Sequence, residues 1–150
     1  MKSLSNLCDR DEVLDRLGKV RPDSRALWGT MTAPQMICHL SDSFRGALGE
    51  KYISPDTSFF NRVVIKNLAL WVPLKWPRGR KTRPEIDQKL GGTTPGEFAS
   101  DVAALRVLVN RFCAHANKFS PHAFFGQMSK PERNRHAYLH MDHHLRQFGA

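Results

Sequence analysis

The segment Tyr138–Phe148, YLHMDHHLRQF, holds three of the chain's seven histidines: His140, His143 and His144. Neutral imidazole is a ligand for zinc, nickel and iron. His140 and His144 stand four residues apart, so on a helix their rings address one point in space. A third imidazole from a neighbouring helix completes a three-nitrogen set that leaves a coordination position open for water or substrate, as catalytic sites do. His39 is the candidate for that third place. The spacing alone does not decide the matter, because HxxxH also occurs as satisfied or solvated histidines.

The histidine block is interleaved with Leu139, Met141, Leu145 and Phe148, which need a core. At about 100° per residue, Ala137, Met141, Leu145 and Phe148 centre one apolar stripe. His144 falls inside one edge of it, His140 lies a turn back on the same flank, His136 begins the row and Gln147 continues it. Gln147 is expected close enough to orient a bound water or substrate. His143 faces partly away and is expected not to ligate. His39 sits on the flank of the face that carries Met36 and Phe44. His115 and His122 have no partner at ligand spacing and are assigned to surface or loop roles. Cys38, adjacent to His39, diverges from it by about 100° and is assigned to packing.

Helix starts are well marked. Thr32 precedes Gln35 by three residues, Thr94 precedes Glu97 and Ser129 precedes Glu132. Each is a capping-box pattern, and Pro95 and Pro131 sit where a missing N–H costs little. Asp9 with Glu12 gives an earlier start. The predicted helices cover 9–19, 33–49, 95–117 and 130–148, with an additional helix over 58–72 that ends before Pro73. Phe98, Val102, Leu105, Val109, Phe112 and Ala116 recur at steps of four and three, as a helix buried on one face requires. Residues 73–94, rich in Pro, Gly and basic side chains, read as a long connection. Strand-like alternation is absent, so the predicted fold is all-α, one domain spanning 1–150.

The composition, 41% hydrophobic over 150 residues, is that of a globular protein with a core. No apolar leader precedes the first charges, and LALWVPL is far too short to span a bilayer. Cys8, Cys38 and Cys113 form no CxxC pair, which fits reduced thiols and a cytoplasmic location. The net charge of +9 is concentrated between Phe59 and Arg83, where Arg62, Lys66, Lys75, Arg78, Arg80, Lys81 and Arg83 meet no acidic residue. That segment is either a solvated connector or a surface that attracts an anion. Trp71 and its apolar neighbours are expected to pack against the helices, with Arg78, Arg80 and Lys81 at a cleft mouth or on the surface. A non-catalytic module binding nucleic acid or an anionic surface through 59–83 is the alternative function, although no nucleic-acid motif is present.

WGTMTAPQMICHLSDSFR, the middle segment RPEIDQKLGGTTPGEFASDVAAL and the terminal HAFFGQMSKPERNRHAYLHMDHHLRQFG together resemble the DinB/YfiT-like superfamily of metalloenzymes. Within it the similarity is to a small bacterial branch of unassigned function, and it covers nearly the whole chain. The resemblance implies a four-helix bundle with a long crossover, containing an additional helix, between core helices 2 and 3. It implies a metal triad of one histidine on the second helix and an HxxxH pair on the fourth, which falls on His39, His140 and His144. It also implies a divalent cation as cofactor, zinc or nickel ahead of iron. Family activities are thiol S-transfer or isomerisation with low-molecular-weight thiols, and metal-dependent hydrolysis. Many relatives carry Arg-Gly-Gln after the last ligand, where this chain has LRQF. No HExxH glutamate is present, and Asp42 and Asp142 point off the ligand row, so no general acid or base is assigned. The expected partner is a small molecule, a thiol or an anion, rather than nucleic acid or a membrane span, and a homodimer stays open.

Overall fold

Each helix begins where a side chain can take up the free N–H groups of its first turn. The computed structural model describes residues 1–150 except Thr57, Leu74 and Arg80. Helix α1, Leu7–Leu17, starts two residues ahead of Asp9, because Asn6 accepts from the Asp9 N–H at 3.1 Å. The Asp9 carboxylate is turned back onto the Ser3 N–H at 2.9 Å instead. Helix α2, Ala33–Leu48, begins with the reciprocal Thr32–Gln35 box and stops at Gly49, whose φ of 81° an L side chain rarely adopts. Helix α3, Lys66–Trp71, continues a π-helical turn over Asn61–Ile65.

Helix α4, Phe98–Ala114, starts later than the Thr94 box implies. Glu97 itself is the cap: its carboxylate accepts from Ala99 N at 3.0 Å and Ser100 N at 2.7 Å, which leaves nothing for Thr94 to close. Helix α5, Lys130–Gln147, opens with the Ser129–Glu132 box and Pro131 as expected. A short 3-10 turn covers Pro84–Ile86. Among the described residues the fold is all-helical, with five α-helices and no strand, and a single antiparallel bridge joins His122 and Gly126.

α2 lies along α4, α1 along α5, and α2 and α3 each touch α5. Val13 and Leu17 of α1, Met36, Ile37 and Leu40 of α2, Leu105, Val109 and Phe112 of α4, and Met141 and Leu145 of α5 meet in one core, each at 1% exposure or less. Side chains of this size contribute about 1.5–3 kcal/mol each when fully buried. The histidines therefore ride on helices whose positions are fixed by other residues.

A smaller cluster of Leu70, Phe125 and Met128 seats α3 against the segment before α5. The inward residue is thus Leu70, fully buried, while Trp71 remains 40% exposed, contrary to expectation. Trp71 follows Leu70 by one helical step and so points about 100° away from the contact. Phe59, Phe60, Val63, Val64 and Leu68 also lie exposed along this stretch. The connection to α4 is pinned at its far end by Asp42 of α2. This carboxylate, fully buried, accepts from Thr93 N at 2.8 Å and Thr93 Oγ1 at 2.6 Å and pairs with Lys51 at 3.0 Å. No helix among the described residues is long and apolar enough to cross a membrane.

Candidate metal centre

α2 and α5 bring His39, His140 and His144 together. One ring nitrogen from each lies within 4.8 Å of the others, and His39 Nε2 stands 3.1 Å from His140 Nε2. Ring centroids are 4.8 Å apart for His39 and His144 and 4.9 Å for His140 and His144. Two nitrogens on one tetrahedral zinc lie about 3.3 Å apart, given bonds of 2.0–2.1 Å. The closest pair is at that spacing already.

The hydrogen bonds around the rings fix which nitrogens face inward. His39 Nδ1 is 2.9 Å from the Ile86 carbonyl, an acceptor only, so Nδ1 carries the proton and Nε2 keeps a lone pair. His144 Nδ1 is 2.8 Å from Gln147 Oε1, and Gln147 donates through Nε2 to the Trp28 carbonyl at 2.8 Å. That second bond fixes the amide's orientation, so His144 Nδ1 must donate and its Nε2 is likewise free. Such outer partners are what orient and strengthen imidazole ligands. Gly29 allows the arrangement: its φ is 79°, and a Cβ there would stand 2.9 Å from Gln147 Nε2. Gln147 is thus bonded to the His144 ring, and it also lines the cavity beside the triad, where the sequence expects it near a bound water or substrate.

Burial holds His140 and His144 well below the usual imidazole range, with neighbouring histidines adding to the effect. Burial also lowers His39, against a smaller opposing effect of the Ile86 carbonyl. All three are neutral near pH 7, the form that binds a cation. Cys38 does not join them. Its thiol is buried, 3.7 Å from an Asp101 carboxylate oxygen, and burial pushes it up to about 11, so no thiolate is available there. Asp42 is occupied by Thr93 and Lys51, and Asp142 by Arg16 at 2.8 Å and Arg146 at 2.9 Å. Neither carboxylate faces the histidines as a base.

The triad opens onto a cavity of about 1270 Å³. Trp76, held by its Nε1–H to the Ala69 carbonyl at 2.9 Å, overlies His136 and His140 with ring centroids 5.2 and 6.2 Å away. This tryptophan, rather than Trp71, is the one that the basic segment turns inward. His143 lines the same space, 5.2 Å from His144 and edge-on to Trp28 at 5.9 Å, outside the three-nitrogen group. His115 stays at the C-terminal end of α4 against Phe119.

His122 sits in a loop, as assigned, and its ring packs 4.4 Å from His136 and lines the cavity. Its Nδ1 accepts from Phe124 N at 3.2 Å and Phe125 N at 3.1 Å. The i, i+4 series His136, His140, His144 was readable as a row; the approach of His122 to its first member comes from loop geometry that no spacing encodes. Of the basic segment, Lys66 pairs with Glu132 at 2.7 Å, Arg83 with Asp56 at 3.5 Å, and Arg78 lies over the Trp28 ring at 4.2 Å. Lys81 lines the cavity, and Arg80 lies outside the described residues.

No curated protein and no solved structure matches the chain. A family model described as "Protein of unknown function (DUF1569)" matches residues 4–150. With all but three residues of the chain inside that match, it belongs to the DUF1569 family.

Proposed function

We propose that this protein is a single-domain, metal-dependent enzyme of the DinB-like kind, a four-helix bundle of α1, α2, α4 and α5 with α3 in its crossover. It holds one divalent cation, zinc or nickel ahead of iron, on His39, His140 and His144. The observation that carries the reading is the donor set. Three neutral imidazoles converge, and two have Nδ1 tied to an acceptor, which leaves the Nε2 lone pair of each available to a cation. Without a cation, the 3.1 Å contact between His39 Nε2 and His140 Nε2 requires a proton from His140, which a metal ion would displace.

A bound cation of this type lowers the pKa of a coordinated thiol or water, which suits thiol S-transfer or hydrolysis of a small molecule. The chain's own residues contribute orientation and exclusion of water: Ile86 and Gln147 set the ring planes, and Trp76 covers the row. The nucleic-acid alternative loses ground because Lys66, Arg78 and Arg83 of the basic segment are engaged within the fold. The test is metal analysis of protein purified without a histidine tag. About one equivalent of zinc, nickel or iron per chain is expected. Less than a tenth of an equivalent, with no uptake on titration, overturns the reading.

A further inference from the structure

The row of α5 residues facing the cavity does not begin with a histidine. One turn before His136 stands Arg133, 5% exposed and on the cavity wall. Its Nη2 donates to the Ser120 carbonyl, but its Nε is buried without a hydrogen-bond partner. Among the described residues no carboxylate stands within ion-pair distance of it. A buried charge without a counter-charge is costly, and burial pulls this guanidinium down to about 10 while leaving it charged near neutrality. Nearby His122 and His136 are neutral imidazoles and offer no counter-charge.

We propose that Arg133 is the anchor of a substrate subsite that takes an organic acid, a carboxylate or phosphate monoester on an apolar or aromatic body. The guanidinium's planar fork matches either group. Arg133 lies about 10 Å along the helix axis from His140, so an acid group anchored there sends the rest of the molecule past His136 toward the triad. Trp76 and Phe125 flank that path, with Phe125 edge-on to the His136 ring at 5.8 Å. Ile65, Leu68 and Ala69 supply apolar wall. Lys75, Lys81 and Lys89 border the same cavity and favour entry of an anion. The orientation of the ligand, acid group at Arg133 and reacting end at the triad, rests on the metal reading; the anion subsite itself does not.

The experiment therefore uses the full-length protein stripped of metal with EDTA, where no cation can bind an anion instead. Benzoate, phenyl phosphate and neutral benzamide are titrated by calorimetry and by tryptophan fluorescence. Benzoate or phenyl phosphate is expected to bind at least tenfold tighter than benzamide, and whichever acid is preferred tells carboxylate from phosphate. Arg133→Met should weaken the preferred acid by about 10- to 100-fold, the worth of a charge-assisted pair, while zinc uptake on reloading stays at the wild-type level. Arg133→Lys, which keeps the charge and loses the fork, should fall between. If neither variant folds, a crystal structure of stripped wild type with 4-bromobenzoate decides, with the carboxylate expected on Arg133. Equal affinity for benzoate and benzamide, acid binding unchanged in Arg133→Met, or binding only after zinc is added would overturn the subsite. Acid binding in a protein that takes up no zinc would uphold it and remove the metal reading.

Discussion

At the scale of single residues, what distinguishes this site from an ordinary cluster of buried histidines is the treatment of the outer nitrogens. In His39 and His144 the Nδ1–H groups are spent on oxygens that can only accept, and the remaining nitrogen of His39 meets nothing but another imidazole, His140, at 3.1 Å. Replacing His140 or His144 with Ala is expected to abolish metal uptake while leaving the circular dichroism spectrum unchanged, because the core rests on Leu, Phe, Val and Met. Metal content equal to wild type in His144→Ala would refute the site. Gln147→Met tests the outer partner. It keeps the volume but frees the His144 ring to change tautomer, and zinc affinity should fall by about 10- to 100-fold, measured by competition with a chelator. The sequence showed the ligand candidates and placed Gln147 on their row. It did not show that Gln147 would spend both ends of its amide on His144 and the Trp28 carbonyl, since the second partner is 119 residues away.

At the scale of elements, the site depends on register. Reciprocal capping boxes at Thr32 and Ser129 start α2 and α5 where the sequence indicated, and those are the two helices that carry the histidines. α1 and α4 start elsewhere because a stronger local acceptor, Asn6 or Glu97, takes their free N–H groups. Misplacing those starts moved no site residue. The connection is the part the pattern could not resolve: its composition announces a loop, but its course is set by Asp42, which joins Thr93 and Lys51 in the interior. Asp42 thereby holds the segment that contains Ile86, and Ile86 holds His39. Asp42→Asn preserves the shape but weakens the pairing with Lys51 and turns an acceptor into a donor toward Thr93. Unfolding by urea should show a loss of about 1–3 kcal/mol. Zinc affinity should fall along with it, through a His39 ring no longer held by its carbonyl. Destabilisation with undiminished zinc affinity would separate the two and show that Ile86 needs no support from Asp42.

At the scale of the whole molecule, the charge excess resolves into two populations. Lys66 and Arg83 neutralise acids of the same fold, and Arg78 rests on Trp28, while Lys75, Lys81 and Lys89 border the cavity. Composition gave the sum but not this division, which depends on which carboxylates the fold brings near. The same holds for the interior imidazoles, and it makes acid stability a property of the entire structure. His122 is the clearest case, remote in sequence from the triad. Burial holds it well below the usual imidazole range, with His136 and Arg133 adding repulsion. A proton on Nδ1 would also confront the two backbone N–H groups of Phe124 and Phe125 that this nitrogen accepts. In the unfolded chain the ring titrates near 6.5. Below that pH the unfolded state therefore binds more protons than the folded one, so the contribution is complete above about 6.5 and is lost as pH falls toward the folded value. Each such residue adds a slope of up to about 1.4 kcal/mol per pH unit. Urea unfolding of EDTA-treated protein between about pH 7 and pH 5 should show stability declining on the acid side. His122→Asn, which retains an acceptor for the turn and cannot take the proton, should reduce that slope by about one proton. An unchanged slope in His122→Asn would mean that the folded ring titrates as freely as the unfolded one, and that the 121–128 loop opens to water before it is protonated.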